Sequence, residues 1–163
     1  MSVTGLWRKI RRTGRVAEPA PPRPAVLSCP KAATLRGSVQ LREVDAGSCN
    51  GCEVEIGAAF GPVYDAERYG ARLVASPRHA DALLVTGPVS RNMAVPLRRT
   101  FEAVGEPRIV VAIGDCAIDG GEFAGGYGVV GSVGDVLPVD VAVPGCPPEP
   151  DAIVAALRGL TGR

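Results

Sequence analysis

Aromatic side chains are scarce in this chain: three Phe, three Tyr and one Trp make up 4% of its 163 residues. A core of that composition has to be assembled from Val, Ala, Leu and Ile, the residues that fill a buried parallel sheet and the helices covering it. Long apolar runs are absent too. No stretch reaches the ~18 consecutive apolar residues that a membrane-spanning helix needs. Residues 1–16 lack the continuous apolar segment of a secretory signal. Acidic residues are nearly missing from the first 36 positions, where eight Lys and Arg face one acid, Glu18. The remainder reverses that balance, with ten basic residues against sixteen acids, so a nucleic-acid footprint over the globular part is excluded.

What is present fits one domain by the usual ~100–200 residue prior. The hydrophobic fraction is 46%, and the 21 Gly and 15 Pro point to many tight loops rather than to disorder. Three regions are visible. Residues 1–16 place Val3, Leu6, Trp7 and Ile10 at i, i+3, i+4 and i+7, with Arg8, Arg11, Arg12 and Arg15 largely off that stripe. This is the pattern of a short basic amphipathic helix, suited to a membrane surface or to a groove on a membrane subunit. Residues 17–36 hold a proline-rich linker, with Pro19, Pro21, Pro22, Pro24 and Pro30. Residues 37–163 alternate strands and helices.

Strands are expected at Val39–Asp45, Arg72–Ala75, Ala82–Thr86, Arg108–Ile113 and Val139–Val143. Helices are expected at Gly51–Phe60, Ala94–Val104 and Pro150–Leu160. Short apolar strands alternating with helices predict an α/β fold: a flavodoxin-like, doubly wound, mainly parallel sheet with helices on both faces. Gly114–Gly134, with eight glycines, reads as a long functional loop.

The chain has five cysteines. Without a secretory signal they point to a reducing compartment, where spaced cysteines signify a metal or redox site more often than disulfides. Cys49, Cys52, Cys116 and Cys146 each lie just past the C-terminal end of an expected strand, in "DAGSCNGC", "IGDCAIDGG" and "PGCPP". An open α/β sheet gathers those strand ends along its ligand-binding edge, so thiols far apart in sequence can converge. Four converging thiolates suit zinc or an iron–sulfur cluster. Glycine amides at Gly47, Gly51, Gly114 and Gly145, and the start of the helix after Cys52, could stabilise an anionic cluster. A thioredoxin-type pair at Cys49 and Cys52, or four inert buried thiols, are the plainer alternatives. Cys29 falls in the linker and reads as a bystander.

The stretches "GSCNGCEVEI", "ERYGARLVASPRHADALLVTGPVS", "PRIVVAIGDCAIDGG" and "LPVDVAVPGCPPEPDAIVAAL" occur in order. From about Gln40 to Leu160 the chain resembles the 20 kDa-subunit family. That family joins the PSST-type 20 kDa component of complex I to the small subunits of membrane-bound, group 4 [NiFe] hydrogenases. The resemblance implies a single [4Fe-4S] cluster on Cys49, Cys52, Cys116 and Cys146. It also implies a role as electron relay beside a large hydrogenase-like or complex I 49 kDa-like subunit that carries the catalytic centre. A ferredoxin-like iron–sulfur subunit and membrane subunits would be further partners, and the site of action the cytoplasmic face of the membrane, held peripherally. The complex I members usually carry adjacent cysteines at the first motif. The spaced C-N-G-C here is similar to formate hydrogenlyase-type small subunits, which favours a hydrogenase-like complex over quinone reduction. A zinc-stabilised, non-redox interaction domain is the alternative from another class.

Such a relay needs no nucleophile or general base of its own. The lone His79 reads as a surface or contact residue. Glu53, Glu55 and Asp115 flank the cysteine loops and read as solvated or interface carboxylates rather than proton carriers.

Overall fold

The computed structural model describes residues 3–14, 29–35 and 37–163. The prolines at positions 19, 21, 22 and 24, and Arg15, lie outside the described residues. Helix α1 (Val3–Thr13) forms over the basic amphipathic segment, and none of its residues is buried.

The globular part runs β1 (Val39–Asp45), α2 (Gly51–Ala59), β2 (Ala71–Leu73), β3 (Ala82–Thr86), β4 (Val89–Ser90), α3 (Ala94–Ala103), β5 (Ile109–Ile113), α4 (Asp115–Asp119), β6 (Val129–Gly131), β7 (Val141–Val143) and α5 (Pro150–Thr161). Five strands form one sheet in the order β2-β1-β3-β5-β7. Every pairing in it is parallel. With the β4–β6 ribbon set aside, this is the 2-1-3-4-5 order of flavodoxin-like folds. The sequence expectation of a doubly wound parallel sheet therefore holds.

The central strands read as continuous apolar runs because both their faces are covered. All five residues of β3 and all five of β5 are buried. Their side chains alternate between two cores. Leu84, Ile109, Val111 and Ile113 pack with Ile56 of α2 and with Ile153 and Leu157 of α5. Leu83, Val85, Val110 and Ala112 pack with Leu97 of α3 and Ala117 of α4. Helix α5 starts at Pro150 and stops against Gly162, whose φ of 72° supplies the left-handed turn that ends a helix.

Two stretches differ from the sequence expectation. Gly114–Gly134 is not a plain loop: it holds α4, single 3-10 turns at Gly121–Phe123 and starting at Val133, and β6. Strand β6 pairs antiparallel with β4, which the sequence reading did not anticipate. The glycines serve tight turns between these very short elements, with Val133 packed beside Ala117 in the α3–α4 core. In addition, part of the stretch assigned to the linker belongs to the domain. Pro30–Leu35 forms a 3-10 helix, and Cys29 and Leu35 are buried in the α2–α5 core. Lys31 fastens this segment through an ion pair of 2.9 Å to Asp140 and a hydrogen bond to the Arg108 carbonyl. Asp140 also accepts the Val110 amide, which ties the segment to the N-terminal ends of β5 and β7.

Candidate metal centre

The C-terminal ends of β1, β3, β5 and β7 meet at one edge of the sheet, and the four cysteines meet there with them. Past β1, the Asp45 carboxylate accepts the amides of Gly47 and Ser48, each at 2.7 Å, which folds the chain back sharply. The Ser48 hydroxyl accepts the Asn50 amide, and Asn50 takes a left-handed conformation at the head of α2. Cys49 is thereby left exposed on the turn, while Cys52 is buried in the first turn of α2.

Past β5, Gly114 turns the chain into α4, which carries Cys116. Past β7, Gly145 leads to the exposed Cys146. These two loops hold each other in place. The Asp115 amide donates to the Gly145 carbonyl at 2.9 Å, and the Gly145 amide donates to the Asp115 carboxylate at 2.8 Å. The result is a small cavity of about 90 Å³ onto which all four cysteines open, with Ser48, Gly87 and Pro147 completing its wall. Cys29 is elsewhere, near the opposite end of the sheet.

The cysteines are packed as a unit. A Cβ on Gly114 would stand 2.6 Å from the Cys52 sulfur, and one on Gly121 would stand 2.8 Å from the Cys116 sulfur. Both glycines also have positive φ, 89° and 48°, so a side chain at either is doubly disfavoured. Electrostatics say the same. Burial, followed by the Glu53 charge and those of Cys49, Cys116 and Cys146, pushes the Cys52 thiol up to about 11. Cys116 is raised by burial and then by Cys146 and Cys49, against a hydrogen bond from the Glu122 amide that favours its thiolate. Burial and neighbouring charge therefore disfavour the thiolates of Cys52 and Cys116, and a cationic group beside them would offset that cost.

The donor set, four thiols on one cavity, fits a soft metal ion or a metal–sulfur group. Among the described residues, no three His, Cys, Asp or Glu side chains are grouped to share a single metal ion.

Glycine amides contribute less than the sequence suggested. Those of Gly47, Gly114 and Gly145 donate to Asp45, Val143 and Asp115, so turn formation has already committed them. The amide that does meet a thiol is that of Glu122, which carried no local sequence signal. Asp115 acts as a loop clamp, and His79 is exposed just before β3, at the far end of the sheet. Glu55 is half-buried on α2. Glu53 accepts a hydrogen bond from the fully buried Thr86, and its second oxygen is buried without a partner. The sequence offered one clue to Thr86: it is the polar terminus of an otherwise apolar strand.

A family model described as the NADH ubiquinone oxidoreductase 20 kDa subunit matches residues 49–160, from the first of the four cysteines to the last helix. The chain belongs to this family. It is an oxidoreductase subunit. Its relatives include formate hydrogenlyase subunit 7 of Escherichia coli K12, 47% identical over 118 residues, or 72% of this chain and 46% of the relative. A probable membrane-bound hydrogenase subunit, mbhJ, of Pyrococcus furiosus is 50% identical over 111 residues, covering 68% of this chain and 66% of its own. Among solved structures, the membrane-bound sulfane sulfur reductase, an archaeal respiratory membrane complex, contains a chain matched at a TM-score of 0.69 with 30% identity. That match covers 80% of this chain and 72% of the other. The formate hydrogenlyase subunit is therefore matched over less than half its length, although the match takes in most of the present domain.

Proposed function

We propose that Cys49, Cys52, Cys116 and Cys146 hold one [4Fe-4S] cluster, and that the chain is the electron-relay subunit of a membrane hydrogenase-like complex, beside a large catalytic subunit. The observation that carries the reading is the convergence of four cysteines, from three separate strand ends, on one small cavity. Bound there, such a cluster supplies one-electron chemistry whose potential follows its hydrogen bonds and solvent exposure.

The chain's own residues would do four things. The four cysteines supply soft thiolate ligands. The Glu122 amide donates to the Cys116 sulfur and spreads its charge. Gly114 and Gly121 leave room for Cys52 and Cys116 to stand against the backbone. The clamp between Asp115 and Gly145 fixes the spacing of Cys116 from Cys146.

Partner subunits are supported by what the domain leaves open. Cys49 and Cys146 are exposed, and so are Val54, two residues beyond Cys52, and Phe123, beside Glu122. Covering this rim would exclude water and bring a second redox centre close. The relatives named as hydrogenase and formate hydrogenlyase subunits favour a large hydrogenase-like partner, with ferredoxin-like and membrane subunits as further members. No described helix is long and apolar enough to cross a membrane. Peripheral attachment at the cytoplasmic face suits a chain whose cysteines are all free. A quinone-reducing role like that of the complex I 20 kDa component is the weaker reading, given the spaced C-N-G-C motif. Zinc is the weaker reading because structural sites of four cysteines commonly use two C-x2-C knuckles, and this chain has one knuckle and two single cysteines.

Anaerobic purification followed by iron and sulfide analysis tests the reading. About four iron and four sulfide per chain, with a broad visible band near ~400 nm, are expected. Stoichiometric zinc without sulfide would overturn it.

A further inference from the structure

The domain accounts for every cysteine and most of the charged residues, but α1 takes no part in it. Its four large apolar side chains stand in solvent: Val3 is 72% exposed, Leu6 47%, Trp7 62% and Ile10 51%. At ~100° of turn per residue, those four fall within an arc of about 100° on one side of the helix. Arg8, Lys9 and Arg12 project from the opposite side, and Arg11 sits at the margin of the apolar stripe. The helix, VTGLWRKIRRT, carries no acid. Eleven residues extend only ~16 Å, about half the ~30 Å of a bilayer's hydrocarbon core, so α1 is far too short to span one.

We propose that α1 is an interfacial helix that lies on an anionic lipid surface, burying Val3, Leu6, Trp7 and Ile10 among the acyl chains and setting Arg8, Lys9, Arg11 and Arg12 at the phosphate headgroups. The charge pattern selects this occupant. An apolar stripe alone would fit a protein groove equally well, but four cations and no anion on one short helix match a surface of uniform negative charge. Long Arg and Lys side chains reach from the margins of a buried stripe to the headgroups, and an indole is at home at that depth. The inference does not depend on the cluster, because α1 contains no ligand and contributes nothing to the domain's core.

Trp7 is the chain's sole tryptophan, so intrinsic fluorescence reports on this helix alone. The full chain would be titrated with vesicles of phosphatidylcholine containing phosphatidylglycerol, and separately with vesicles of phosphatidylcholine alone. A blue shift with co-sedimentation is expected on the anionic vesicles, weakening as salt is raised. Replacing Arg8 and Arg12 together by Gln should weaken that binding roughly 30-fold, about fivefold for each charge removed. Ile10→Glu, which keeps the reporter, should abolish the shift while leaving far-ultraviolet dichroism and iron content of the domain unchanged. Equal binding to both lipids, no binding to either, or full retention by Ile10→Glu would overturn the proposal; the second outcome would assign the stripe to a protein groove instead.

Discussion

The hydroxyl of Thr86, at the C-terminal end of β3, donates a hydrogen bond to one carboxylate oxygen of Glu53, in the first turn of α2. Thr86 is fully buried, and Glu53 follows Cys52 directly. The bond therefore pins the helix turn carrying a candidate ligand to the middle of the sheet. Among the described residues it is the only hydrogen bond that the Glu53 carboxylate makes, since the other oxygen is buried without a partner there.

Thr86→Val would keep the shape and leave both Glu53 oxygens unpaired. A loss of about 1–3 kcal/mol in folding stability is expected. Adding Glu53→Leu to Thr86→Val removes the stranded carboxylate, and most of that loss should return. Urea unfolding of the single and double variants measures the recovery. A double variant no more stable than Thr86→Val would show that the hydrogen bond is not the cause.

The same carboxylate acts on Glu43 across the face of β1. Burial first, then the Glu53 charge, with a smaller contribution from Asp45, raise Glu43 above its ordinary value of 4.5, against a lowering by Arg42. A carboxyl with a raised folded pKa holds its proton more tightly in the folded state. Stability is therefore lost as pH rises from 4.5 through the folded value, and the ionised form remains a burden at neutral pH. Glu43→Gln should be more stable than the parent at pH 7 and should flatten the fall in melting temperature above pH 4.5. Equal melting temperatures across that range would refute the assignment.

Before any metal is loaded, the four thiols should differ in reactivity. Cys52 is buried with its thiol pushed up to about 11, whereas Cys49 and Cys146 are exposed. The thiolate is the nucleophile, so iodoacetamide at mildly alkaline pH should label Cys49 and Cys146 well before Cys52. Peptide mass spectrometry of the iron-free chain gives the order. Labelling of Cys52 at the rate of Cys49 would contradict the packing described for the site.

Gly114 offers a steric test. A methyl group there would meet the Cys52 sulfur at 2.6 Å, from a residue already at a φ of 89°. Gly114→Ala adds backbone strain of about 1–3 kcal/mol and displaces the thiol. Iron content should fall sharply, whereas Gly57→Ala, on the open side of α2, should leave it intact. Normal iron in Gly114→Ala would mean that the sulfur can move without consequence.

Much of this architecture was legible because its signals are local and strong. β3 and β5 are apolar runs of the length that a sheet covered on both faces requires, and the four cysteines follow strand ends that the doubly wound fold must bring together. The elements that escaped, β4, α4 and β6, are two to five residues long. Periodicity needs a window of roughly 11–18 residues, and glycines interrupt it throughout this stretch. The bond between Thr86 and Glu53 joins residues 33 positions apart, and the amide that meets Cys116 is ordinary in sequence. Neither leaves a pattern until the fold has placed it. Cys29 misled for a related reason: its proline-rich neighbourhood masks a residue that packs in the core.

That burial alters what the five cysteines should do when each is replaced by Ser. At Cys49, Cys52, Cys116 and Cys146 the change exchanges a soft thiolate for a hydroxyl that iron binds poorly, and leaves three sulfurs crowded around an incomplete group. Each of these variants should lose most of about four iron atoms per chain and, with them, electron transfer to a partner. The sequence alone reads Cys29 as a bystander, so that Cys29→Ser should keep its iron like the parent. Cys29 is 7% exposed and packs in the α2–α5 core, so its replacement buries a hydroxyl without an evident partner, at a cost of about 1–3 kcal/mol. Cys29→Ser should therefore keep its iron but unfold at a lower denaturant concentration, and Cys29→Ala should recover part of the difference. Iron, sulfide and unfolding midpoints measured anaerobically on all five variants separate the two kinds of cysteine. Iron retained in Cys116→Ser or Cys146→Ser, or iron lost from Cys29→Ser while the chain stays folded, would show that the ligand set is drawn wrongly.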